Sequence, residues 1–160
     1  MKLEQKPNII ETFDISTLFG ENSVGSMVRF VNGKAQKSGY RKFAIKTVEG
    51  QNDFAMMKEV VYRRYSRLVK EGGEVPDLIV IDGGLGQLHS AIEALEMAGV
   101  IIPIIGLAKQ DEEIYIPNRM EPLRLSRTNP ALKLLQKGRD EAHRFGVNYQ
   151  RKRRKKAAGL

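Results

Sequence analysis

The hydrophobic pattern of this 160-residue chain predicts strands in its first third and alternating helices and strands after it. Leu78–Ile81 is a run of four aliphatic residues, three of them β-branched, which Asp82 closes. Such a run is typical of a strand buried on both faces of a parallel sheet. Ile101–Leu107 predicts a second buried strand. The earlier segments predict three antiparallel strands, at residues 9–16, 24–31 and 40–47.

Turn and capping residues separate the strands from three predicted helices. Asn32-Gly33 predicts a hairpin turn, because both positions tolerate a positive φ. Apolar residues at helical spacing predict helices at residues 53–70, at 86–98, and from 130 into the basic tail. Asn52 or Asp53 is expected to cap the first helix, and Thr128 or Asn129 the third. A small hairpin is expected at residues 113–117 and 122–125.

The predicted order of elements is that of an RNase H-like domain. We therefore expect an α/β fold whose mixed five-stranded sheet, three antiparallel strands and then two parallel ones, is flanked by helices. In that arrangement the first strand is central, and the strand after the first helix lies parallel beside it. Asp14 on the first strand and Asp82 at the end of the other are thus expected on neighbouring strands.

The length, cysteine content and charge of the chain exclude some classes of protein and favour others. A chain of 160 residues is long enough for one domain, spanning 1–160, with a substantial core. It has no cysteine, which excludes disulfides and thiolate-bound zinc or iron–sulfur sites. No apolar run approaches the roughly 20 residues of a membrane span, so we expect a cytoplasmic protein with no membrane partner. The net charge of +8 favours a polyanionic partner, although six positive charges lie in Arg151–Lys156.

Asp14 and Asp82 are the first candidates for chemistry. Two carboxylates a few ångströms apart repel each other, and one takes up a proton unless a cation lies between them. A hard divalent ion, Mg²⁺ or Mn²⁺, suits oxygen ligands and keeps waters for phosphate chemistry. The alternative is that each aspartate only begins a turn or caps a helix.

Three further features are open to two interpretations each. His143 is a candidate third metal ligand or a base for an attacking water, or else an imidazole bonded to Asp140 or Glu141. Asp53 is a candidate additional carboxylate or an N-cap. Gly83–Gly86 suggests a nucleotide-binding turn or close approach to a phosphodiester, but it lacks the G-x-G-x-x-G and G-x-x-x-x-G-K-[ST] patterns.

Seven short motifs resemble, in the same order, those of the C-terminal endonuclease domain of the UvrC family, the bacterial nucleotide-excision-repair nucleases. The motifs are Phe13–Ser16, Ser26–Val28, Tyr40–Phe43, Arg63–Tyr65, Pro76–Gly84, Ile105–Lys109 and Arg139–Phe145. The resemblance runs from about Ile9 to Arg154, which is nearly the whole chain.

The resemblance implies an RNase H-like fold and a metal-dependent cut of DNA on the 5′ side of a lesion, in the SOS response to DNA damage. The family's Asp, Asp, His triad falls on Asp14, Asp82 and His143, with Mg²⁺ or Mn²⁺ as the cofactor. A further carboxylate of the family's first helix falls on Asp53. Damaged double-stranded DNA and UvrB, with loading by UvrA, are the implied partners. Basic residues expected to contact the phosphate backbone are Arg63, Arg67, Lys109, Arg151, Lys152, Arg153 and Arg154.

The chain departs from the family pattern in two respects. Thr17 and Phe19 stand where the family motif D-I-S-H-L-Q-G has His and Gln, so metal affinity or substrate contacts near Asp14 are expected to differ. The N-terminal nuclease, the UvrB-binding segment and the helix-hairpin-helix motifs of full-length members are absent from these residues. We therefore expect an excised domain that binds DNA weakly by itself.

Two other functions stay open at this point. One is a non-catalytic DNA- or protein-binding module on the same fold, against which the intact Asp14, Asp82 and His143 argue. The other is a nucleotide-phosphate binder that uses Gly83–Gly86, which predicts thermal stabilisation by nucleotides.

Overall fold

The strands and helices follow the order that the sequence predicts. The computed structural model of the protein describes residues 7–18, 21–46, 52–108, 112–157 and 159. Its strands are β1 (Ile9–Leu18), β2 (Glu21–Val31), β3 (Lys34–Ala35), β4 (Arg41–Ala44), β5 (Leu78–Asp82), β6 (Ile104–Leu107), β7 (Glu113–Tyr115) and β8 (Leu123–Arg124). Its helices are α1 (Asp53–Glu71), α2 (Leu85–Ala98) and α3 (Pro130–Ala157), with a 3₁₀ turn at Lys37–Gly39. Within these ranges, none of the helices has an apolar stretch of membrane-spanning length.

One mixed sheet contains all eight of these strands, in the order β3-β2-β1-β5-β6-β7-β8, and β4 also pairs with β2. β1 is antiparallel to β2 and parallel to β5, which in turn is parallel to β6. The expected α/β fold, with helices flanking a mixed sheet, is confirmed. The expected central position of β1, beside the strand that follows the first helix, is also observed.

The sheet has three strands more than the five that the sequence predicts. The Asn32-Gly33 turn has the positive φ values of 51° and 80° that its sequence favours, but it closes on the two-residue strand β3. The chain then turns through Lys37–Gly39 and returns to β2 as β4, so two short strands share this edge. The hairpin expected at 113–117 and 122–125 forms as β7 and β8, and it joins the main sheet through β6.

Some strand ends differ from those predicted. β6 begins at Ile104 rather than Ile101, because Pro103 has no N–H to donate and the ladder to β5 begins after it. β1 and β2 are longer than predicted, since their pairing continues to Leu18 and Glu21 past an irregularity in the register. The predicted third strand ends earlier, at Ala44, and Thr47 lies outside the described residues.

The alternation of side chains along the strands places two cores on opposite faces of the sheet. Phe13, Met27 and Ile81 are fully buried against the side chains of α1 and α2. Neighbouring residues on the same strands, such as Val28 and Val80, belong to the clusters that include α3. Asp14, Ser26 and Asp82 each follow or precede a residue of the first face, so they point towards α3.

Helix α3 lies unusually close to β1 and β2, because small residues recur along it every four positions. A Cβ added at Gly138 would lie 2.9 Å from Thr12 Oγ1, and one at Gly146 would lie 2.9 Å from the hydroxyls of both Ser16 and Ser26. Ala142, between the two glycines, is fully buried. The helix therefore packs on a row of small polar side chains as well as on the apolar residues of the strands.

The face of β1 opposite α3 buries a charged network centred on Glu11. Its carboxylate accepts hydrogen bonds from Arg29 (2.6 Å), Arg64 (2.8 and 3.3 Å) and the Tyr65 hydroxyl (2.7 Å). Burial, together with the neighbouring Glu11 charge, raises the pKa of Tyr65, so its hydroxyl stays protonated as a donor. The network ties α1 to the two central strands.

Replacing Glu11 by Ala is predicted to destabilise the fold by about 3–5 kcal/mol, because it leaves two arginines buried without their carboxylate. Urea unfolding with linear extrapolation measures this loss. Glu74→Ala is the matched control, since Glu74 pairs with Arg29 from the exposed surface, and it is expected to cost less than about 0.5 kcal/mol. Equal losses for the two variants would contradict the account of the network.

Candidate active site

Asp14 is a buried carboxylate in the middle of β1, with 6% of its side chain exposed. Its Oδ2 atom accepts a hydrogen bond from the Ser16 hydroxyl at 3.2 Å and lies 3.2 Å from Nδ1 of His143. Unlike Glu11 three residues earlier, it forms no ion pair with a lysine or arginine of the described residues. A buried carboxylate in such surroundings is expected to be paired with a cation or to bind a metal.

Asp82 lies beside Asp14 on the next strand of the sheet. Phe13 and Ile81 are register partners on the parallel strands β1 and β5, and each aspartate is the residue that follows. Asp82 is half-buried and ends its strand. Gly83 then turns the chain with a φ of 153°, at which a Cβ would clash with the side chain of Gln87. The two carboxylates thus lie on one face of the sheet, Asp14 in the middle of β1 and Asp82 at the carboxyl end of β5.

His143 lies on α3 and contacts Asp14 on β1. The packing of α3 against the sheet sets the distance between the imidazole and the strand. The Ser26 hydroxyl donates to the carbonyl oxygen of Ala142 at 2.8 Å, which fixes the helix one residue before His143. The partner of the imidazole is therefore Asp14, rather than Asp140 or Glu141 on its own helix. An ionised carboxylate only accepts hydrogen bonds, so a hydrogen bond at this contact requires the proton of the imidazole to be on Nδ1.

The other flank of α3 is held to the sheet by a second set of contacts. The Tyr40 hydroxyl donates to Glu141 at 2.7 Å, and Glu141 also accepts two hydrogen bonds from Arg144. The hydrogen bond from Arg144 is the main reason why the pKa of Glu141 is lowered, and burial raises the pKa of Tyr40. The Lys42 ammonium lies 5.5 Å from the ring centre of Phe145. These contacts hold α3 at Glu141 and Phe145, on either side of the hydrogen bond between Ser26 and Ala142.

The donor atoms of this face suit a hard divalent cation. Asp14 and Asp82 offer carboxylate oxygens, the ligands that Mg²⁺ and Mn²⁺ prefer. Mg²⁺ in particular is commonly held by one or two carboxylates, with waters and substrate phosphates completing its shell. Among the described residues, no group of three or more His, Cys, Asp or Glu side chains is assembled at metal-binding distance. The carboxylates of Asp14 and Asp82 are thus the oxygen donors that this face offers.

Comparison with known proteins identifies the family. The profile of the UvrC RNAse H endonuclease domain matches residues 1–147. The chain belongs to this family. UvrABC system protein C of Methanococcus maripaludis is 53% identical over 156 residues, which are 98% of this chain and 30% of that protein. The protein of the same name from Chlorobium phaeobacteroides is 53% identical over 154 residues, 96% of this chain and 24% of that protein. The chain thus spans less than a third of the length of these relatives.

A solved structure supports the fold assignment. The catalytic domain of human Endonuclease V superposes with a TM-score of 0.53 over 96% of this chain and 85% of that chain, at 15% sequence identity. At this identity the likeness shows only the fold, which is RNase H-like. The fold that the motifs of the UvrC family imply is therefore confirmed.

Asp53, the third candidate carboxylate, begins the helix that packs on the other face of the sheet of this UvrC domain. It is the exposed first residue of α1, whose cap is Asn52, with Oδ1 accepting from the backbone N–H of Ala55. Asp53 lines an open cleft with Phe54 and with Gln87 of α2. Its helix packs on the face opposite α3, so a role beside Asp14 stays a prediction.

The residues at the family's His and Gln positions are placed only in part. The Thr17 hydroxyl is hydrogen-bonded to that of Ser23 at 2.8 Å, near the end of the β1–β2 hairpin. Phe19 lies outside the described residues. The predicted effect of these two replacements on metal affinity stays a prediction.

The basic residues predicted to contact DNA fall into two described groups. Arg63 donates to Glu59 and to the carbonyl oxygen of Ala44, and Arg67 pairs with Glu71 on the exposed face of α1. Arg151 and Lys152 are exposed near the end of α3, which continues into the basic tail as predicted. Lys109, and the side chains of Arg153 and Arg154, lie outside the described residues.

Sequence reasoning missed the residues that position the site. Ser16 and Ser26 hold Asp14 and α3, and neither was singled out. A signal for them was present, because Gly138, Ala142 and Gly146 repeat every four residues and mark a helix face made for close packing. Polar residues at every second position of a buried strand, as in Thr12, Asp14 and Ser16, give the matching signal on the sheet.

Gly146→Ala is predicted to destabilise the domain by about 1–3 kcal/mol through overpacking, although alanine is the better helix former. The new Cβ would meet the hydroxyls of Ser16 and Ser26 and push α3 away from β1. Urea unfolding measures the cost, and it should fall in a Ser16→Ala/Ser26→Ala background that opens the space. The same cost in both backgrounds would contradict the proposed contact.

Proposed function

We propose that this chain is the catalytic domain of a metal-dependent DNA endonuclease that makes the 5′ incision beside lesions in nucleotide excision repair. The observation that carries the proposal is the geometry of one face, where Asp14 and Asp82 follow register partners and His143 contacts Asp14. Membership of the UvrC RNAse H endonuclease domain family supports the same reaction class.

The carboxylates would hold the cofactor, Mg²⁺ or Mn²⁺, on the α3 face. When bound, such an ion polarises a phosphate oxygen and lowers the pKa of a coordinated water. Asp14 is the better fixed of the two donors, because Ser16 and His143 both hold its Oδ2 atom. Asp82 sits at the end of its strand, where ligands of open α/β sheets collect, and it contributes the second oxygen donor.

His143 would act as the general base and then as the general acid. Its Nδ1 atom donates to Asp14, so its Nε2 atom is free to accept a proton from the attacking water and to return it to the leaving oxygen. The carboxylate of Asp14 orients the imidazole and stabilises the imidazolium that forms. Ser26 and Gly146 keep this pair together through the position of α3.

Damaged double-stranded DNA is the proposed substrate, and UvrB, after loading by UvrA, is the proposed partner in the longer protein. The relatives are named for the UvrABC system, which motivates this assignment. Exposed cations at Arg151 and Lys152, on the same helix as His143, would contact the phosphate backbone without reading sequence. The protein would act in the cytoplasm, where the chromosome is repaired.

The test is incision of a 5′-labelled, lesion-containing duplex in Mn²⁺ with UvrA and UvrB. The chain would replace the equivalent region of the Methanococcus maripaludis relative, so that the remaining segments are supplied. Asp14→Asn, Asp82→Asn and His143→Ala are each predicted to lose the 5′ cut by about 100-fold or more while the 3′ cut persists. Asp140→Asn, an exposed acid on the same helix, is the matched control and should cut like wild type.

Two results would contradict the proposal. If all three variants make the 5′ cut as fast as wild type, the assignment of the catalytic residues is wrong. If the wild-type chimera makes only the 3′ cut, the domain is a non-catalytic binding module on an RNase H-like fold.

A further inference from the structure

We propose that a cleft between β4 and α1 is a second DNA-binding site, which holds backbone phosphates away from the carboxylate face. We call it the basic cleft, and its volume is about 430 Å³. The lining residues are Arg41, Lys42, Phe43, Arg63, Arg64, Arg67 and Glu71. The identity of the ligand rests on the proposed function, because DNA is the polyanion that such a nuclease meets.

The walls of the basic cleft are fixed by contacts with buried groups. Two wall arginines pair with buried carboxylates, Arg64 with Glu11 and Arg63 with Glu59. Arg64 is 9% exposed and is anchored from below by Glu11. Arg63 is held by the carbonyl oxygen of Ala44 at 2.8 Å, and its guanidinium lies 5.4 Å from the ring centre of Phe43. Their side chains are thus held in place before a ligand arrives, which reduces the entropy cost of binding.

Two cations at the mouth of the basic cleft are available for a ligand. Arg41 is exposed, and its described hydrogen bonds go to the carbonyl oxygens of Ser38 and Tyr40, which are neutral. Arg67 is 79% exposed and is bonded to Glu71, itself 58% exposed. An exposed ion pair of this kind is readily exchanged for another anion. Glu59 and Glu11 pair with Arg63 and Arg64 beneath the cleft, so its net positive charge comes from Arg41 and Lys42.

The chemistry of these groups fits phosphate oxygens. Guanidinium groups bind phosphate through two parallel N–H donors, and four of the five cations in the lining are arginines. Such contacts fix a nucleic-acid backbone without reading its sequence. A repair nuclease needs binding of this kind, because lesions occur in any sequence.

The position of β4 favours an extended polyanion over a small anion. Lys42 pairs with Ser26, and Ser26 pairs with Asp14, so one row of the sheet leads from the carboxylates to the strand that lines the cleft. Two strand spacings make this distance about 10 Å. A DNA strand covers that length in about three nucleotides, at a rise of about 3.4 Å each. The row ends at β4, an edge of the sheet. Lys42 faces Phe145 of α3 whereas Phe43 packs with α1, so a strand that contacts both Asp14 and the cleft passes around this edge.

Glu71 acts as an internal competitor for the phosphate. Its hydrogen bond with Arg67 is the main cause that lowers the pKa of Glu71, so it remains a carboxylate at neutral pH. A phosphate that binds Arg67 must displace it. Removing the carboxylate should therefore strengthen DNA binding, whereas removing the guanidinium should weaken it.

The test is fluorescence anisotropy of labelled single-stranded and duplex oligonucleotides with the 160-residue chain in EDTA at low salt. Arg67→Ala and Arg41→Ala are each predicted to weaken binding about 3–10-fold and to reduce the salt-dependence slope by about 1. Glu71→Gln is predicted to tighten binding about twofold to threefold. Lys58→Ala and Glu93→Gln are matched controls, because they remove the same charges from an exposed α1–α2 ion pair outside the cleft. Both controls should stay within twofold of wild type.

Several results would overturn the inference. The first is no binding by wild type at low salt, and the second is equal effects of Arg67→Ala and Lys58→Ala. A third is competition by inorganic phosphate as effective as that by an oligonucleotide of equal charge, which would make the cleft a small-anion site. The binding assay does not depend on cutting. If the domain fails to cut DNA but the cleft variants change binding as predicted, the DNA-binding cleft is supported and only the proposed nuclease activity is contradicted.

Discussion

The close packing of α3 on β1 and β2 is the constraint on which the carboxylate face depends. The helix can approach the sheet only because Gly138 and Gly146 lack side chains where they meet polar residues of the strands. The Ser26 hydroxyl then fixes the helix through the carbonyl oxygen of Ala142. His143 and Asp14 lie 129 positions apart in the chain, so only the packing of α3 on the sheet brings them together. Their contact of 3.2 Å is a consequence of that packing.

β1 buries two carboxylates on opposite faces, and the hydrogen-bond partners of the two differ. Glu11 accepts hydrogen bonds from two arginines and a tyrosine, which satisfy its charge and join α1 to the sheet. Asp14 has a serine hydroxyl and an imidazole as its described partners, with Asp82 on the neighbouring strand. The ion pairs of Glu11 thus lie on the face that packs on α1, and Asp14 lies on the face that packs on α3.

Much of the fold can be predicted from the sequence, because most helices and strands have a characteristic hydrophobic period and are bounded by capping or turn residues. The aliphatic run before Asp82 and the helix that Asn52 caps are where their patterns predict them. Of the three extra strands, β7 and β8 are the expected hairpin, and only β3 was missed, because a pairing of two residues leaves no periodic signal. The placement of Asp14 and Asp82 on neighbouring strands follows from the order of elements, but the partner of His143 does not. That contact depends on the distance between α3 and the sheet. The spacing of small residues in α3 predicts this distance only when the strands that pack against the helix are known.

We propose that Asp14 and Asp82 hold a divalent cation beside His143, which contacts Asp14. The most direct measurement is paramagnetic broadening of the NMR signals of the isotope-labelled chain as Mn²⁺ is added. We predict that broadening in the wild type centres on these three residues, and that Asp14→Asn and Asp82→Asn each abolish it while the rest of the spectrum is unchanged. Broadening that survives both substitutions, or that centres on another group of acids such as Asp140 and Glu141, would contradict the account.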